Sequence, residues 1–355
     1  MRRVACIDIG TVTARLAVAD VEGGRVQRLA KSSTICNLGQ DVDRTRMLAT
    51  DAMKRVFLCC HEYVASAAAA GAEGICCTLT SAARDAGNAA ELEEALRSLG
   101  LEPEVIPGEV EGALTFLGVA QDFDGKRILV ADNGGGSTEL ACGVLADGVL
   151  DLRFVESTNV GCRRITDKFL SAGELPAAAD LEAAHEFAAG LFLPAVERGG
   201  LRAACATADA GADSAGSAPA SLTAEAPEAL VVCGGTVTTL VALDLALAPY
   251  DSGRVHLARL SRQKVAELEK KLAGLTVEQR AELPGIQPKR APVILGGVVA
   301  IGELMDRTGF DELIVSESDL LFGLSLAAET ALPGTDGEKS PVGWKPTMRP
   351  VGKVG

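Results

Sequence analysis

At 355 residues the chain exceeds one ordinary core, and a hydrophobic content of 48% is enough to fill two. Aromatics make up 3% and the formal net charge is −14, so neither a base-stacking platform nor long-range attraction of DNA or RNA is expected. An anionic ligand must therefore be held locally, by backbone amides, a few arginines or a metal.

In chain order, the first feature is an internal repeat. One copy, Val4 to Gly39, reads VACIDIGTVTARLAVADVEGGRVQRLAKSSTICNLG; the other, Ile128 to Gly161, reads ILVADNGGGSTELACGVLADGVLDLRFVESTNVG. In each, an apolar strand runs into Asp-x-Gly, a small-residue turn follows, and two more strands lead to a closing Asn-x-Gly. Asp8 and Asp132, like Gly10 and Gly134, stand 124 apart, whereas Asn37 and Asn159, like Gly39 and Gly161, stand 122 apart. One short loop deletion accounts for the difference. Duplicated β-β-β units followed by helices predict two similar α/β lobes facing one another across a central cleft.

Between the copies the pattern predicts a helix over Thr50–Ala70, a strand over Gly74–Thr80 and a helix over Asn88–Leu99. A short strand, Glu104–Ile106, then leads into a helix from Glu109 to Ala120. After the second copy come helices over Ile165–Leu170 and Ala178–Ala189, a strand over Leu230–Val232 and a helix over Val237–Leu245. Further helices cover Gln263–Ala273, Val277–Leu283 and the glycine-interrupted Pro292–Thr308. A strand at Glu312–Val315 and a helix at Asp319–Thr330 complete the ordered part. Residues 201–227 are rich in Ala, Ser and Gly and predict a flexible surface insertion, while 333–355 predict a disordered tail. The expected domains are an N-terminal lobe over 1–125, joined by the last helix at about 317–331, and a C-terminal lobe over 126–316.

No run approaches 18 uncharged apolar residues, and Asp8 interrupts the apolar start, so neither a membrane span nor a signal peptide is expected. The ten cysteines include the adjacent pairs Cys59-Cys60 and Cys76-Cys77 but no CxxC, and Cys6, Cys76 and Cys233 lie in apolar runs. They read as small core hydrophobes in a reducing, cytoplasmic compartment. His61, His185 and His256 are too scattered for a histidine triad or a zinc centre.

Five stretches carry chemistry. In Asp132-Asn133-Gly134-Gly135-Gly136-Ser137-Thr138-Glu139, three glycines let backbone N–H groups approach a phosphate, and the flanking acids supply the oxygens that magnesium favours. A glycine-rich hairpin with solvated acids is the plainer alternative. The partner copy offers Gly10 and the hydroxyls and amides of Thr11 and Thr13, with Asp8 as ligand or as turn cap. In Pro107-Gly108-Glu109-Val110-Glu111, an acid in a first helical turn suits the helix dipole, while Glu111 has the rival reading of a base that deprotonates an attacking water. Arg84, in the loop after Thr80, reads as a bidentate phosphate clamp or as a partner of Asp85. Gly234, Gly235 and Thr236 precede a helix, which suits either a phosphate at its N-terminus or close helix–strand packing.

Taken together, CIDIGTVTARL, LTSAARDAGN, PGEVEGALTFLGV, VADNGGGSTEL, CGGTVTTL, YDSGRVH and ELPGIQPKRAPVILGGVVAI resemble the exopolyphosphatase / guanosine pentaphosphate phosphohydrolase family. That family belongs with actin and the sugar kinases, and the resemblance runs from Val4 to about Leu326. It implies two ribonuclease-H-like, actin-like lobes and metal-dependent removal of the terminal phosphate of inorganic polyphosphate, with Mg²⁺ (or Mn²⁺) as cofactor. By position it makes Glu111 the catalytic glutamate, Asp132 and Glu139 the metal-side acids, and Gly134, Gly135, Gly136 and Ser137 the phosphate loop. Asp8, Gly10, Thr11 and Thr13 become the N-terminal phosphate loop and Arg84 the phosphate-gripping arginine. A homodimer is also implied. The alternatives are hydrolysis of the 5′-phosphate of guanosine pentaphosphate and, from other classes, an ATP-dependent kinase or ATPase or a non-catalytic alarmone sensor. Departures from the family pattern are Val12 in place of Asn, Val110-Glu111-Gly112 in place of two acids and Ala, no arginine ahead of Leu38-Gly39, and Pro292 in place of an acid. They leave the hydrolytic residues in place and bear on substrate preference. Larger members add a helical domain where this chain has a short tail, so shorter polyphosphates are expected.

Overall fold

The computed structural model describes residues 1–203, 226–335 and 340–351, so most of the predicted 201–227 insertion lies outside the described residues. The chain divides into two compact units, Met1–Gln121 together with the described residues from Ser318 onward, and Asp122–Glu317.

The first unit opens with β1 (Arg2–Ile9), β2 (Thr13–Glu22) and β3 (Arg25–Ile35), an antiparallel meander. A single turn, α1 (Val42–Thr45), and the long α2 (Thr50–Ala69) lead to β4 (Gly74–Leu79), which returns parallel to β1. All six residues of β4 are buried, as the unalternating GICCTL requires of a strand covered on both faces. Then follow α3 (Ser81–Asp85), α4 (Ala89–Arg97), β5 (Pro103–Val105) parallel to β4, and α5 (Gly108–Ala120).

The second unit repeats the plan. β6 (Arg127–Asn133), β7 (Thr138–Ala146) and β8 (Val149–Thr158) form its meander, followed by α6 (Cys162–Ile165), a π-helical turn over Thr166–Leu170 and α7 (Ala178–Gly199). β9 (Ala229–Cys233) pairs parallel with β6 and leads into α8 (Gly235–Asp244) and α9 (Ser252–Val255). β10 (Arg259–Ser261), α10 (Arg262–Ala273), α11 (Val277–Ala281), a 3₁₀ turn at Pro288–Arg290 and α12 (Ile294–Thr308) precede β11 (Glu312–Val315), which lies parallel to β9. The chain then returns to the first unit as α13 (Leu320–Ala331) and β12 (Arg349–Pro350). The sheets thus run β12-β4-β1-β2-β3, with β5 also on β4, and β10-β11-β9-β6-β7-β8.

Alternation along β1 splits the core of the first unit between the two faces of its sheet. Ala5, Ile7 and Ile9 pack with Val56 and Cys60 of α2, while Val4 and Cys6 pack with Leu114 and Leu117 of α5 and Leu321 and Leu324 of α13. α5 and α13 close to backbone contact: a Cβ on Gly323 would lie 1.8 Å from the Leu114 carbonyl, and one on Gly118 would lie 2.4 Å from that of Asp319. In the second unit, His185 of α7 sits between Glu303 of α12 (Nδ1 to Oε1, 2.8 Å) and Glu269 of α10 (Nε2 to Oε1, 2.7 Å). The hydrogen bond to Glu269, then that to Glu303, push the imidazole up to about 10, so it pins three helices as a cation.

Three expectations change. Arg84, expected in a loop after Thr80, lies in the short helix α3. The helix predicted to stop at Ala189 continues to Gly199 through Pro194, because Phe192, Ala195 and Val196 are buried in the core. The tail is not loose throughout: Val342, Trp344 and Met348 pack on the α5–α13 layer, and Arg349 and Pro350 pair with Ile75 and Gly74 of β4. A few apolar anchors there outweigh a Pro, Gly and Lys composition. No described helix is long and apolar enough to cross a membrane, and the nine described cysteines are free and buried.

Candidate active site

In each meander the first two strands are joined by a turn of the same construction. In the first, Gly10 N donates to Thr13 O at 2.9 Å; in the second, Gly134 N donates to Ser137 O at 3.0 Å. The carbonyls of the second turn are tied to α6: that of Gly134 accepts from Cys162 N (3.0 Å), that of Gly135 from the Arg163 and Arg164 amides (2.8 and 3.1 Å), and that of Gly136 from Arg164 Nε (2.7 Å). In a planar trans peptide the N–H points opposite to the C=O. The amides of Gly135, Gly136 and Ser137 are therefore turned away from α6 together, which makes a concave nest for an anion. Gly161 allows the approach, since a Cβ there would lie 2.4 Å from the Gly135 oxygen.

The first turn is tied in the corresponding way. Thr11 O accepts from Gly39 N (2.8 Å), and Val12 O accepts from the Cys36 and Asn37 amides (2.9 and 2.8 Å). This turns the Val12 and Thr13 amides to the other side. The Thr11 methyl rests on Gly39, where a Cβ would come within 2.3 Å of it.

The residues across from the two aspartates differ. Asp8 is paired in register with Arg15, which donates to its Oδ2 from Nε (3.0 Å) and Nη2 (2.6 Å). Burial pushes the Asp8 carboxyl up and Arg15 opposes that; Oδ1 is buried with no hydrogen-bond partner. Asp132 is paired with Glu139 instead, so two buried carboxylates stand on neighbouring strands and face the same way. Glu139 Oε1 accepts from Ser157 Oγ at 2.7 Å. Among the described residues no group of three or more His, Cys, Asp or Glu is gathered as a metal site. Mg²⁺ needs fewer: one or two carboxylates, with water and substrate phosphate completing its shell. The Asp132–Glu139 pair fits that requirement in donor chemistry.

Gly234, at φ +105°, lies against this strand end, its Cβ position 3.2 Å from Asp132 Oδ1. The Arg290 guanidinium presses on Gly235, where a Cβ would be 1.8 Å from Nη1. The Thr236 hydroxyl is turned elsewhere, to Gly297 of α12, and so packs rather than joining the loop. In the first unit, Arg84 Nη1 donates to Ile106 O (3.0 Å) and to Glu111 Oε2 (2.7 Å), which holds the buried Glu111 carboxylate in the first turn of α5. This contact with Glu111 was not among the partners the sequence offered for Arg84, a phosphate or Asp85.

Several site-forming residues escaped the sequence reading. Asp319 caps α13 by accepting from Leu321 N and binds Arg15 Nη1 (2.9 Å) and Lys31 Nζ (3.2 Å). Burial works against its ionisation, but Lys31 and Arg15 outweigh that and hold it below the usual carboxylate range. Its signal was an Asp before an apolar helical run. Arg163 and Arg164, one residue beyond Asn-x-Gly, supply with the Cys162 amide the bonds that orient the second turn.

Solved structures share the fold. An exopolyphosphatase-like protein superposes with a TM-score of 0.78 at 30% identity, covering 92% of this chain and 97% of that one. A Ppx/GppA family member from Aquifex aeolicus gives 0.71 at 27%, again over 92% and 97%. The fold is thus the two-unit actin-like one, in a phosphatase class. Exopolyphosphatase 2 of Mycobacterium tuberculosis is 32% identical over 345 residues, 92% of this chain and 98% of that protein. Residues 17–326 match the Ppx/GppA phosphatase family, and the chain belongs to it. It is a hydrolase acting on phosphoanhydride bonds.

Proposed function

We propose that this chain is an exopolyphosphatase that releases the terminal phosphate of inorganic polyphosphate. The observation that carries the reading is the buried Glu111, fixed by Arg84 at 2.7 Å in a first helical turn. A side chain so held can take a proton from water with little reorganisation. In this reading, water oxygen attacks the terminal phosphorus, its proton passes to Glu111, and the P–O anhydride bond breaks to give orthophosphate and a shortened chain. Arg84 positions Glu111 within the first unit, and the amides of Gly135, Gly136 and Ser137 are the anion nest of the second. Mg²⁺, held by Asp132 and Glu139, supplies neutralisation of phosphate charge when bound. The names of the mycobacterial relative and of the exopolyphosphatase-like neighbour favour polyphosphate over a guanosine nucleotide. The nine free cysteines support a reducing, cytoplasmic setting, and a homodimer accompanies the family resemblance.

The test is orthophosphate release with Mg²⁺ from short polyphosphate, long polyphosphate, guanosine pentaphosphate and ATP. Release from polyphosphate, falling about a thousandfold in Glu111→Gln with binding retained, is expected. An active Glu111→Gln enzyme overturns the base assignment. Turnover confined to guanosine pentaphosphate or to ATP overturns the substrate.

A further inference from the structure

The two carboxylate oxygens of Asp8 have different surroundings. Arg15 donates twice to Oδ2, from Nε at 3.0 Å and from Nη2 at 2.6 Å, while Oδ1 is buried and has no hydrogen-bond partner. A guanidinium facing a carboxylate ordinarily forks onto both oxygens, one N–H to each. Here its third nitrogen is engaged elsewhere. Arg15 Nη1 donates at 2.9 Å to Asp319 Oδ2, which also accepts from Lys31 Nζ at 3.2 Å. Asp319 is itself fixed in place, because its Oδ1 caps α13 by accepting from Leu321 N at 3.0 Å. The Lys31 ammonium is held over the same helical turn, 5.2 Å from the centre of the Phe322 ring. All of these residues belong to the first unit.

We propose that Asp319 is a positioning residue of the first turn. By holding Arg15 Nη1 it confines the guanidinium to Asp8 Oδ2, and Oδ1 stays open for a hydrogen bond donated by a phosphate ligand, from its own hydroxyl or from its hydrating water. The inference rests on the polyphosphatase reading for its ligand, but not for its geometry. A buried carboxylate oxygen without a donor is unfavourable, and a ligand that brings one removes the penalty. The open oxygen stands two residues ahead of Gly10, whose amide closes the turn on Thr13.

Charge carries this role, and capping does not. In Asp319→Asn the amide oxygen can still cap Leu321 N, since Asn caps helices as well as Asp does. Its NH2 group then faces Arg15 and Lys31, donor against donor, and Nη1 is released. Asp319→Glu keeps the negative charge but loses the short reach of a capping side chain.

The experiment compares both variants with the unaltered full chain by crystallography, by melting temperature and by steady-state phosphate release from polyphosphate with Mg²⁺. In Asp319→Asn, Arg15 is expected on both Asp8 oxygens, with the melting temperature little changed. Its KM should rise about tenfold or more at a kcat within about twofold, as loss of one hydrogen bond to a charged group implies. Asp319→Glu is expected to melt lower and yet to keep the unaltered KM. Arg15 remaining on Oδ2 alone in Asp319→Asn overturns the proposal, as does a KM that follows melting temperature instead of charge. If Asp319→Asn does not fold, Asp319→Ser, also an uncharged cap, takes its place with the same expectations. Should the unaltered protein release no phosphate from polyphosphate, the polyphosphatase reading fails, and the position of Arg15 in the variant still decides this proposal.

Discussion

The two glycine turns share one backbone and opposite electrostatics. Across from Asp8 stands Arg15, so the first turn is neutralised from within its own hairpin. Across from Asp132 stands Glu139, so the second hairpin places two buried carboxylates side by side. Duplication kept the geometry that aims amides at phosphate and changed one cross-strand residue. That change separates a self-contained turn from one whose charge suits a cation.

The largest expected effect comes from unbalancing the first turn. Arg15→Ala leaves Asp8 buried without its guanidinium, which should cost about 3–5 kcal/mol in urea denaturation. Glu139→Gln, at the equivalent position, removes one of two like charges and should leave the metal-free protein as stable or more so. Equal losses in the two variants would erase the contrast.

Next come the glycines beneath the turns. Gly161→Ala drives its Cβ into backbone, 2.4 Å from the Gly135 oxygen, and should cost about 3 kcal/mol. Gly39→Ala meets the Thr11 methyl, a side chain that can turn aside, and should cost about 1 kcal/mol. Denaturation midpoints of the two variants decide this, and a reversed order would show that the first turn is the more rigid.

A smaller effect is expected from Mg²⁺ itself. It should raise the melting temperature of the unaltered protein by a few degrees, corresponding to about 1–3 kcal/mol near saturation, and do nothing for Glu139→Gln. A shift that survives the substitution would place the cation elsewhere.

The smallest effect concerns pH. The second unit carries, besides its arginine pairs, His185 held between two glutamates. The folded imidazole is raised to about 10, above its unfolded value near 6.5, so its contribution is full below that value and is lost as pH rises through about 10. Hydrogen exchange should show α7, α10 and α12 loosening from pH 7 to 10, and the gap in melting temperature between the unaltered protein and His185→Gln closing over that range. A gap constant with pH would mean the pair is not ionic.

Much of this was legible because it is local. The Asp-x-Gly turns and the buried strand GICCTL are written in runs of ten or fewer residues, where backbone preference and burial agree. What was missed is long-range or cooperative. Asp319 meets Arg15 across 304 positions, so no window holds both. Gly190 and Pro194 each argue for ending α7, yet the helix continues because Phe192 and Val196 have a core to fill. Thr236 carries a phosphate-loop composition, but Gly297 gives its side chain another place to go.

The return of α13 to the first unit has a consequence during synthesis. The side of α5 that carries Gly118 is covered by α13, whose unit resumes at Ser318, 197 positions after Gln121 (318 − 121). At about 5–20 residues per second, a ribosome takes roughly 10–40 s to supply that cover. The second unit is continuous and can complete its core first, although it starts later. Vectorial folding is therefore inverted: the half made first finishes last. A nascent chain stalled before Ser318 would carry an open apolar face on α5, which makes this interval the one in which trigger-type chaperones matter most.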